Sequence, residues 1–167
     1  MRVGIGYGCH RLVHGRRLFL GGVEIPFSKG LLGHSDGDVI LHAITDALLG
    51  AISEEDIGSF FPDSDERIRG IRSTEILSHI IALLEERGYK VVNIDTVVIA
   101  QEPKIAHYRE AIRDKIAGLT KIPIENVSIK GKTTEGLGFQ GRGEGIEVYA
   151  VALIERQEMV GQGGAGQ

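Results

Sequence analysis

Glycine occupies every second position near the amino terminus of this chain. Residues 3–10 read V-G-I-G-Y-G-C-H, so a glycine follows each of the first three larger residues. A period of two is the repeat of a β-strand, in which successive side chains point to opposite faces. The pattern therefore predicts a strand, with Gly8 and His10 on one face and Cys9 on the other.

Further along the chain, apolar segments of strand type are interrupted by segments with helical spacing. Gly21 and Gly22 separate two short apolar runs, which is typical of a two-residue hairpin turn. The second helix is predicted to begin with Ser73 as its N-cap and to end at Gly88. The predicted helices cover roughly 38–49, 73–87 and 104–119, and the predicted strands 3–10, 17–20, 23–25, 90–100, 127–130 and 146–154. Because the helices do not follow a regular βαβ repeat, the expected fold class is α+β, a mixed β-sheet packed against helices.

Length and composition indicate one soluble domain. The chain has 167 residues, of which 1–160 are expected to form the domain and 161–167 a glycine-rich, disordered tail. A net charge of -4 argues against a general surface for nucleic acid or for an anionic membrane. Cys9 is the single cysteine, so no internal disulfide forms and a cytoplasmic location is expected. We expect no signal peptide and no membrane span.

Residues 34–46 concentrate two histidines and three carboxylates where a polar turn leads into an apolar helix. His42 and Asp46 are four residues apart, which places them on one face of a helix. A carboxylate often fixes the second ring nitrogen of a metal-binding histidine, and Asp46 is a candidate for that role. His10 and His42 with a further carboxylate would form an open zinc site. The alternative is that both histidines only form hydrogen bonds within the fold.

A second polar segment, at 132–135, follows a predicted strand and precedes a glycine-rich turn. Lys132, Thr133 and Thr134 offer an ammonium group and two hydroxyls, which suit a diphosphate. Glu135 offers hard oxygen ligands, which suit a magnesium ion bound to phosphate. An ordinary polar turn would have the same composition, so the segment alone leaves both interpretations open.

Seven segments together resemble the 2-C-methyl-D-erythritol 2,4-cyclodiphosphate synthase family of the non-mevalonate isoprenoid pathway. They follow the order and spacing of that family along nearly the whole chain. The segments are G-L-L-G-H-S-D-G-D at 30–38, T-D-A-L-L-G at 45–50, D-I-G at 56–58, F-P-D at 61–63, A-Q-E-P-K at 100–104, K-T-T-E-G-L-G-F at 132–139 and G-R-G-E-G-I at 141–146.

The resemblance implies a homotrimeric enzyme with sites between subunits, which closes a cyclic diphosphate on its cytidine diphosphate substrate and releases CMP. It implies zinc at His10 and His42, and magnesium or manganese at Glu135. His34 and Thr133 are then expected to stabilise the transition state. The other implied positions are Ser35, Asp56, Gly58, Asp63, Lys132 and Thr134 for the substrate, Ala100, Pro103, Lys104 and Ile105 for the nucleotide, and Phe139, Arg142 and Glu144 for a cavity that binds isoprenoid diphosphates.

One position departs from the family pattern. The family has Gly-aromatic-Asp-x-His near its amino terminus, with the aspartate as a zinc ligand, whereas this chain has glycine at that position, Gly8. Two accounts of the remaining metal site stay open. Either two histidines hold zinc weakly and water or substrate phosphate completes the site, or a β-bulge turns the Cys9 thiolate inward as a replacement ligand.

Gly8 also leaves the level of activity open. The chain is expected to be the synthase, impaired at its zinc site. The alternatives are a binding or regulatory paralogue that has lost the chemistry, a metal-dependent phosphodiesterase with a linear product, and a variant in which the metal site was engineered at Gly8.

Overall fold

Seven strands organise the computed structural model, which describes residues 1–157. The tail predicted at 161–167 lies outside the described residues. The strands are β1 (Arg2–His14), β2 (Leu18–Leu20), β3 (Val23–Ile25), β4 (Lys29–Leu31), β5 (Tyr89–Ile99), β6 (Val127–Lys132) and β7 (Gly145–Arg156). Five of them form one sheet in the order β4-β1-β7-β5-β6, and β2 pairs with β3 in a separate hairpin. Within the large sheet only β5 and β6 pair in parallel, so the sheet is mixed, as predicted.

The helices lie between the strands without a repeated crossover unit, which confirms the α+β prediction. The α-helices are α1 (Val39–Ala51), α2 (Ile57–Phe60), α3 (Ser73–Glu86), α4 (Arg109–Thr120) and α5 (Gly138–Gly141), and short 3₁₀ turns cover Glu66–Ile68, Ile105–His107 and Ile124–Asn126. None of the helices within residues 1–157 has the length and apolar character needed to cross a membrane.

Helix α1 packs directly on strand β1, and the alternating glycines allow this approach. A Cβ atom built on Gly6 would lie 1.8 Å from the carbonyl oxygen of Ala43, and one built on Gly4 would lie 1.9 Å from that of Ala47. Both distances are far below van der Waals contact. The glycines therefore place the backbone of the strand against the backbone of the helix, and this contact positions the functional site.

Asp38 fixes the start of α1. Its buried carboxylate accepts a hydrogen bond from the Leu41 N–H at 3.1 Å, which is the ordinary N-cap interaction. The same carboxylate accepts the N–H groups of Gly21 and Gly22 at 2.9 and 2.6 Å, so it also holds the β2–β3 turn. Burial raises the pKa of Asp38 to about 6, although these hydrogen bonds oppose the shift.

Two helix boundaries differ from the sequence prediction. The helix expected over 104–119 is divided, because Tyr108 has φ -111° and ψ -1°, and α4 begins only at Arg109. Ser73, the N-cap that the sequence predicts, is instead the first residue of α3, and Arg72 in the cap position makes no side-chain cap bond. A carboxylate from another loop caps this helix instead: Asp36 Oδ2 accepts the Ser73 N–H at 3.1 Å.

The other face of the sheet carries exposed apolar side chains. They are Val3, Ile5, Tyr7, Tyr149 and Val151, from the neighbouring strands β1 and β7. An apolar surface of this kind, contributed by adjacent strands, is typical of a face that contacts another protein.

Candidate active site

His10 and His42 lie against each other, one of the two arrangements that the sequence left open. His10 is on β1 and His42 on α1, and His10 Nε2 lies 3.0 Å from His42 Nδ1. The other ring nitrogen of His10, Nδ1, lies 2.8 Å from the carbonyl oxygen of Leu32. Because a carbonyl oxygen only accepts hydrogen bonds, His10 Nδ1 carries a proton, and in the tautomer with that single proton Nε2 presents its lone pair toward His42.

Two hydroxyl groups contact the far side of the His42 ring. His42 Nε2 lies 3.1 Å from Ser35 Oγ and 2.9 Å from Ser73 Oγ. Ser73 Oγ also forms a short hydrogen bond with Asp36 Oδ1. Burial, followed by the proximity of His10, lowers the pKa of His42 to about 4, and the Asp36 carboxylate only partly opposes this shift. His42 is therefore neutral at physiological pH.

Asp46 does not take the role predicted for it beside His42. Its Oδ1 accepts a hydrogen bond from the Ile57 N–H at 2.8 Å, which ties α1 to the start of α2. The hydroxyls of Ser35 and Ser73 lie beside His42 Nε2 instead. Burial raises the pKa of Asp46, with a contribution from the nearby Asp56. Helical spacing indicated the correct helix face but not the partner, because Ser73 arrives from a distant segment of the chain.

The histidine pair meets only part of the requirement for a zinc site. Two nitrogen ligands of a tetrahedral zinc ion lie about 3.3 Å apart, close to the 3.0 Å between His10 Nε2 and His42 Nδ1. A catalytic zinc site has three protein ligands, and Gly8 contributes no donor. Among residues 1–157 there is no group of three or more His, Cys, Asp or Glu side chains arranged to hold a metal ion. The pair thus fits two ligands of a zinc ion and does not fit a complete site.

Cys9 does not replace the missing ligand. The register between β1 and β7 runs without interruption from Arg2 to Arg11, with Gly8 opposite Val148 and Cys9 opposite Glu147. No bulge turns the thiol toward the histidines, and Cys9 is exposed. Strand alternation therefore keeps Cys9 on the face opposite His10.

A cavity of about 740 Å³ opens beside the histidine pair. Gly8, His10, His34, Gly58 and Asp63 are among the residues that line it. His34 Nε2 lies 3.4 Å from Asp63 Oδ2, and both side chains are exposed, so they are available to a ligand.

Two further residues predicted to bind substrate have structural contacts. Asp56 Oδ1 accepts the Ser59 N–H at 3.2 Å and so caps α2. The Ser35 side chain is buried: besides contacting His42, its Oγ accepts the Gly37 N–H at 3.0 Å. The Ser35 hydroxyl is therefore directed into the fold, even though the residue borders the cavity.

The predicted phosphate and nucleotide segments meet at the ends of β5 and β6. Ile99 is paired with Lys132 in the parallel ladder, and the Ala100 N–H donates to the Lys132 carbonyl oxygen at 2.9 Å. Thr133 Oγ1 donates to Glu135 Oε1 at 3.0 Å, and Thr134 Oγ1 donates to the Leu137 carbonyl oxygen. The side chains of Lys132 and Glu135 are exposed.

The segment predicted to bind the nucleotide has three buried residues and an exposed lysine. Ala100, Pro103 and Ile105 are buried, whereas Lys104 is exposed. Lys104 Nζ lies 3.3 Å from the Gln101 carbonyl oxygen, to which it donates. This arrangement leaves the Lys104 ammonium at the surface, where it can meet an anionic ligand.

Within one chain the two halves of the predicted site are apart. Cys9, Glu147, Ile99 and Lys132 are successive partners across β1, β7, β5 and β6. Three strand spacings of about 4.8 Å separate the backbone of β1 from that of β6, about 14 Å in all. The residues that line the large cavity belong to 7–76, so among the described residues the segments at 100–105 and 132–135 do not contribute to it.

The residues predicted to form an isoprenoid cavity lie near the other side of β1. Phe139 and Glu144 line a smaller cavity of about 320 Å³ together with Cys9 and Arg11. Arg142 is paired with Glu144, with Nε 2.7 Å from Oε1, and both are exposed. The structure thus brings these predicted residues together and leaves their ligand untested.

A family model described as the YgbB family matches residues 1–155 of this chain. The chain belongs to the YgbB family. Among its relatives is the 2-C-methyl-D-erythritol 2,4-cyclodiphosphate synthase of Caldicellulosiruptor bescii, which is 59% identical over 153 residues, 92% of this chain and 98% of the relative.

Solved structures agree with this assignment to the YgbB family. A 2C-methyl-D-erythritol-2,4-cyclodiphosphate synthase in a CDP-bound form has 40% identity and a TM-score of 0.85, covering 92% of this chain and 100% of that one. The bifunctional IspDF of Campylobacter jejuni has 37% identity and a TM-score of 0.89, covering 93% of this chain but only 42% of that one. These matches confirm the resemblance found in the sequence.

Sequence reasoning missed Ser73 and Asp36 as partners of the histidine pair. The local sequence indicates a helix cap at Ser73 and one of several carboxylates at Asp36, and neither pattern points to His42. The Ser73–His42 contact spans 31 positions in sequence. A local pattern does not reveal such a contact.

Proposed function

We propose that this chain is a cyclodiphosphate synthase. The substrate would be 4-diphosphocytidyl-2-C-methyl-D-erythritol 2-phosphate, and the products 2-C-methyl-D-erythritol 2,4-cyclodiphosphate and CMP. The observation that carries this proposal is the cavity beside His10 and His42, which places His34 and Asp63 together at its edge. These residues occupy motif positions of a family in which several relatives are named as this synthase.

In the proposed reaction an oxygen of the 2-phosphate attacks the β-phosphorus of the diphosphate. The new P–O bond closes the ring, and the bond from the β-phosphorus to the bridging oxygen breaks, so that CMP leaves with the electron pair. The nucleophile is already anionic, so the protein mainly aligns two phosphates and offsets their charge. His34 and Thr133 would donate hydrogen bonds to phosphate oxygens, and the ammonium of Lys132 would offset the charge that develops on the diphosphate.

Two metal ions belong to this proposal. Zinc would be held by His10 and His42, weakly because Gly8 supplies no ligand, and when bound it would polarise the reacting phosphate. Magnesium or manganese would be held by Glu135 and by diphosphate oxygens, in keeping with the one or two carboxylates that usually hold Mg²⁺ beside phosphates. The exposed Glu135 carboxylate, within a hydrogen bond of Thr133, supports this assignment.

We further propose that the complete site lies between subunits of a homotrimer, with cytidine held at 100–105 of one chain. The separation of about 14 Å between β1 and β6 supports this arrangement, because one chain alone does not bring both halves of the site together. The exposed apolar face that includes Ile5 and Tyr149 supports assembly. The number of copies rests on the family resemblance.

Assembly is tested by native mass spectrometry and light scattering. We expect a trimer for the native chain, and monomers for Ile5→Lys, because a charge on the apolar sheet face opposes its burial. Ile124→Lys is the matched control, because Ile124 is also partly exposed but lies in a 3₁₀ turn outside this face. A monomeric native chain, or an Ile5→Lys variant that still forms trimers, would contradict the proposal.

The activity is tested by incubating the protein with the cytidine substrate at saturating zinc and magnesium. Release of CMP and a cyclic product in the mass spectrum are expected. Lys132→Ala should slow turnover at least about tenfold, because a charge-assisted contact to the reacting diphosphate is lost. Lys90→Ala is the matched control, since Lys90 lies at the opposite end of β5 and pairs with Glu155.

The outcomes separate the alternatives. Substrate binding without release of CMP would identify a binding or regulatory paralogue, which the missing donor at Gly8 favours. A linear phosphate product would identify a phosphodiesterase. Either result would overturn the synthase proposal.

A further inference from the structure

The hydrogen bonds on the two sides of the His42 ring depend on which ring nitrogen carries its proton. His10 Nδ1 donates to the Leu32 carbonyl oxygen, so His10 Nε2 is a bare acceptor facing His42 Nδ1. If neutral His42 carries its proton on Nδ1, it donates a hydrogen bond to His10 Nε2. We call this arrangement, in which the two histidines are hydrogen-bonded to each other, the closed form. If the proton is on Nε2, two lone pairs face each other across 3.0 Å, and the gap between them suits a cation.

The two hydroxyls beside Nε2 differ in the hydrogen bonds they already make. Ser35 Oγ accepts the Gly37 N–H, so its own proton can be donated to His42 Nε2 at 3.1 Å, which is closer than the other acceptor, Ser73 Oγ at 3.5 Å. The Ser73 hydroxyl donates its proton to Asp36 Oδ1. Toward His42 Nε2, Ser73 Oγ therefore presents a lone pair and can only accept a hydrogen bond. Ser35 can therefore donate to Nε2 when that nitrogen carries no proton, and Ser73 can accept from Nε2 when it does.

We propose that Ser35 and Ser73 are opposed positioning residues that set the tautomer of His42. Ser35 favours the closed form, with the proton on Nδ1. Ser73, held by Asp36, favours the form with the proton on Nε2, in which Nδ1 and His10 Nε2 both present lone pairs to a metal ion. The inference rests on the proposed function in one respect, that the ion concerned is the zinc proposed above.

The groups in direct contact with His42 Nε2, which set its tautomer, are hydroxyls and not a carboxylate. Asp36 reaches His42 through Ser73, and it also accepts the Ser73 N–H at 3.1 Å and the Asp38 N–H at 3.1 Å. Its position is thereby fixed by two backbone groups from different segments. When a metal ion binds Nδ1, this contact holds the proton of His42 on Nε2 and fixes the orientation of the ring.

The tautomer is measured directly by ¹⁵N chemical shifts of the imidazole rings in the metal-free protein at pH 8. The His42 signals are assigned by their loss in His42→Asn. We expect the proton of His42 on Nδ1 in the native chain. Ser35→Ala should move it toward Nε2, Ser73→Ala should leave it on Nδ1, and the control Ser78→Ala should match the native chain. Ser78 is on the same helix as Ser73, and its hydroxyl donates to the Thr74 carbonyl oxygen.

Zinc titration supplies the second readout, in the native chain and in a Gly8→Asp background. Ser73→Ala should weaken zinc binding about 10- to 100-fold, the usual effect of losing such a partner. Ser35→Ala and Ser78→Ala should not weaken it. Thermal unfolding of the metal-free variants shows whether each one still folds, so a loss of affinity is not confused with a loss of structure.

The proposal would be overturned by a proton on Nε2 in the metal-free native chain, or by Ser35→Ala leaving the tautomer unchanged. Equal zinc affinity in Ser73→Ala and Ser78→Ala would also overturn it. If none of these proteins binds zinc, the zinc part of the proposed function fails. The tautomer measurements in the metal-free variants then still decide the roles of the two serines.

Discussion

The two halves of strand β1 pack against helix α1 in different ways. In the first half the contact is between backbones, since a Cβ on Gly4 or Gly6 would overlap a helix carbonyl oxygen. In the second half side chains take part as well. The atom nearest to a Cβ on Gly8 would be Val39 Cγ2, at 2.9 Å, and further along His10 meets His42.

This difference separates glycines whose replacement would overlap the helix backbone from one whose replacement would be only tightly packed. A Cβ on Gly4 or Gly6 would lie less than 2 Å from a helix carbonyl oxygen, and no rotation of a side chain relieves such an overlap. A Cβ on Gly8 would lie 2.9 Å from Val39 Cγ2 and 3.1 Å from the Val39 carbonyl oxygen, so it requires a smaller displacement of the helix. The consequence of glycine at position 8 is the loss of a donor beside the histidine pair, and the following experiments test this comparison.

The largest effect is expected for Gly6→Ala, which should lower the free energy of unfolding by at least about 3 kcal/mol, because the new methyl group forces strand and helix apart. Gly8→Ala is the matched control and should cost less than about 1.5 kcal/mol. Denaturant unfolding of the two metal-free variants measures both values. Equal losses would contradict the distinction between the two halves of β1.

The second effect is on the pH dependence of stability, and it concerns His42, which contacts His10 in the second half of β1. The folded pKa of His42 is about 4, below the ordinary value of about 6.5. The folded protein therefore loses stability from this residue as pH falls from about 6.5 to 4, by about 3 kcal/mol in all. As pH falls from about 6.5 to 4, the free energy of unfolding of His42→Gln should therefore rise relative to that of the native chain.

The comparison is made by denaturant unfolding of both proteins with a chelator present. Asp38 has a raised pKa of about 6 and changes stability with pH in the opposite direction, but it is present in both proteins and cancels in the difference. A difference in stability between the two proteins that does not vary between pH 7 and pH 4 would contradict the buried, neutral state of His42.

The third effect is on zinc affinity. Gly8→Asp should bind zinc at least about tenfold more tightly than the native chain, because it adds an anionic ligand beside His10 and His42. Calorimetric titration measures both affinities, and Gly8→Asn is a control of nearly the same size with no charge. Equal affinity of Gly8→Asp and the native chain would show that position 8 does not contribute to the metal site.

The smallest effect is expected for Cys9→Ser. Cys9 lies on the face of β1 away from His10, so zinc affinity should change less than about twofold, the residue having no part in holding the ion. The same titration, with the native chain as reference, measures this change. A large loss of affinity would mean that the thiol reaches the histidines and that alternation along β1 fails at this point.

Local patterns were sufficient for most of the fold. The alternation at 3–10 predicted β1 and the faces of His10 and Cys9, and apolar spacing predicted α1, α3 and the long strands. Patterns were insufficient where a distant group decides a boundary. Asp36 caps α3 in place of Ser73, and the short strand β4 exists because β1 extends far enough to pair with it.

The candidate site divides in the same way. The sequence alone determined that Gly8 and His10 share one face of β1, the motif positions at 132–135 and the missing donor at Gly8, because these follow from alternation and from the identity of single residues. Only the tertiary structure decided that Ser35 and Ser73, and not Asp46, contact His42, and that one chain keeps the two halves of the site apart. Hydrogen bonds between segments depend on where the fold places each backbone, and no short stretch of sequence carries that information.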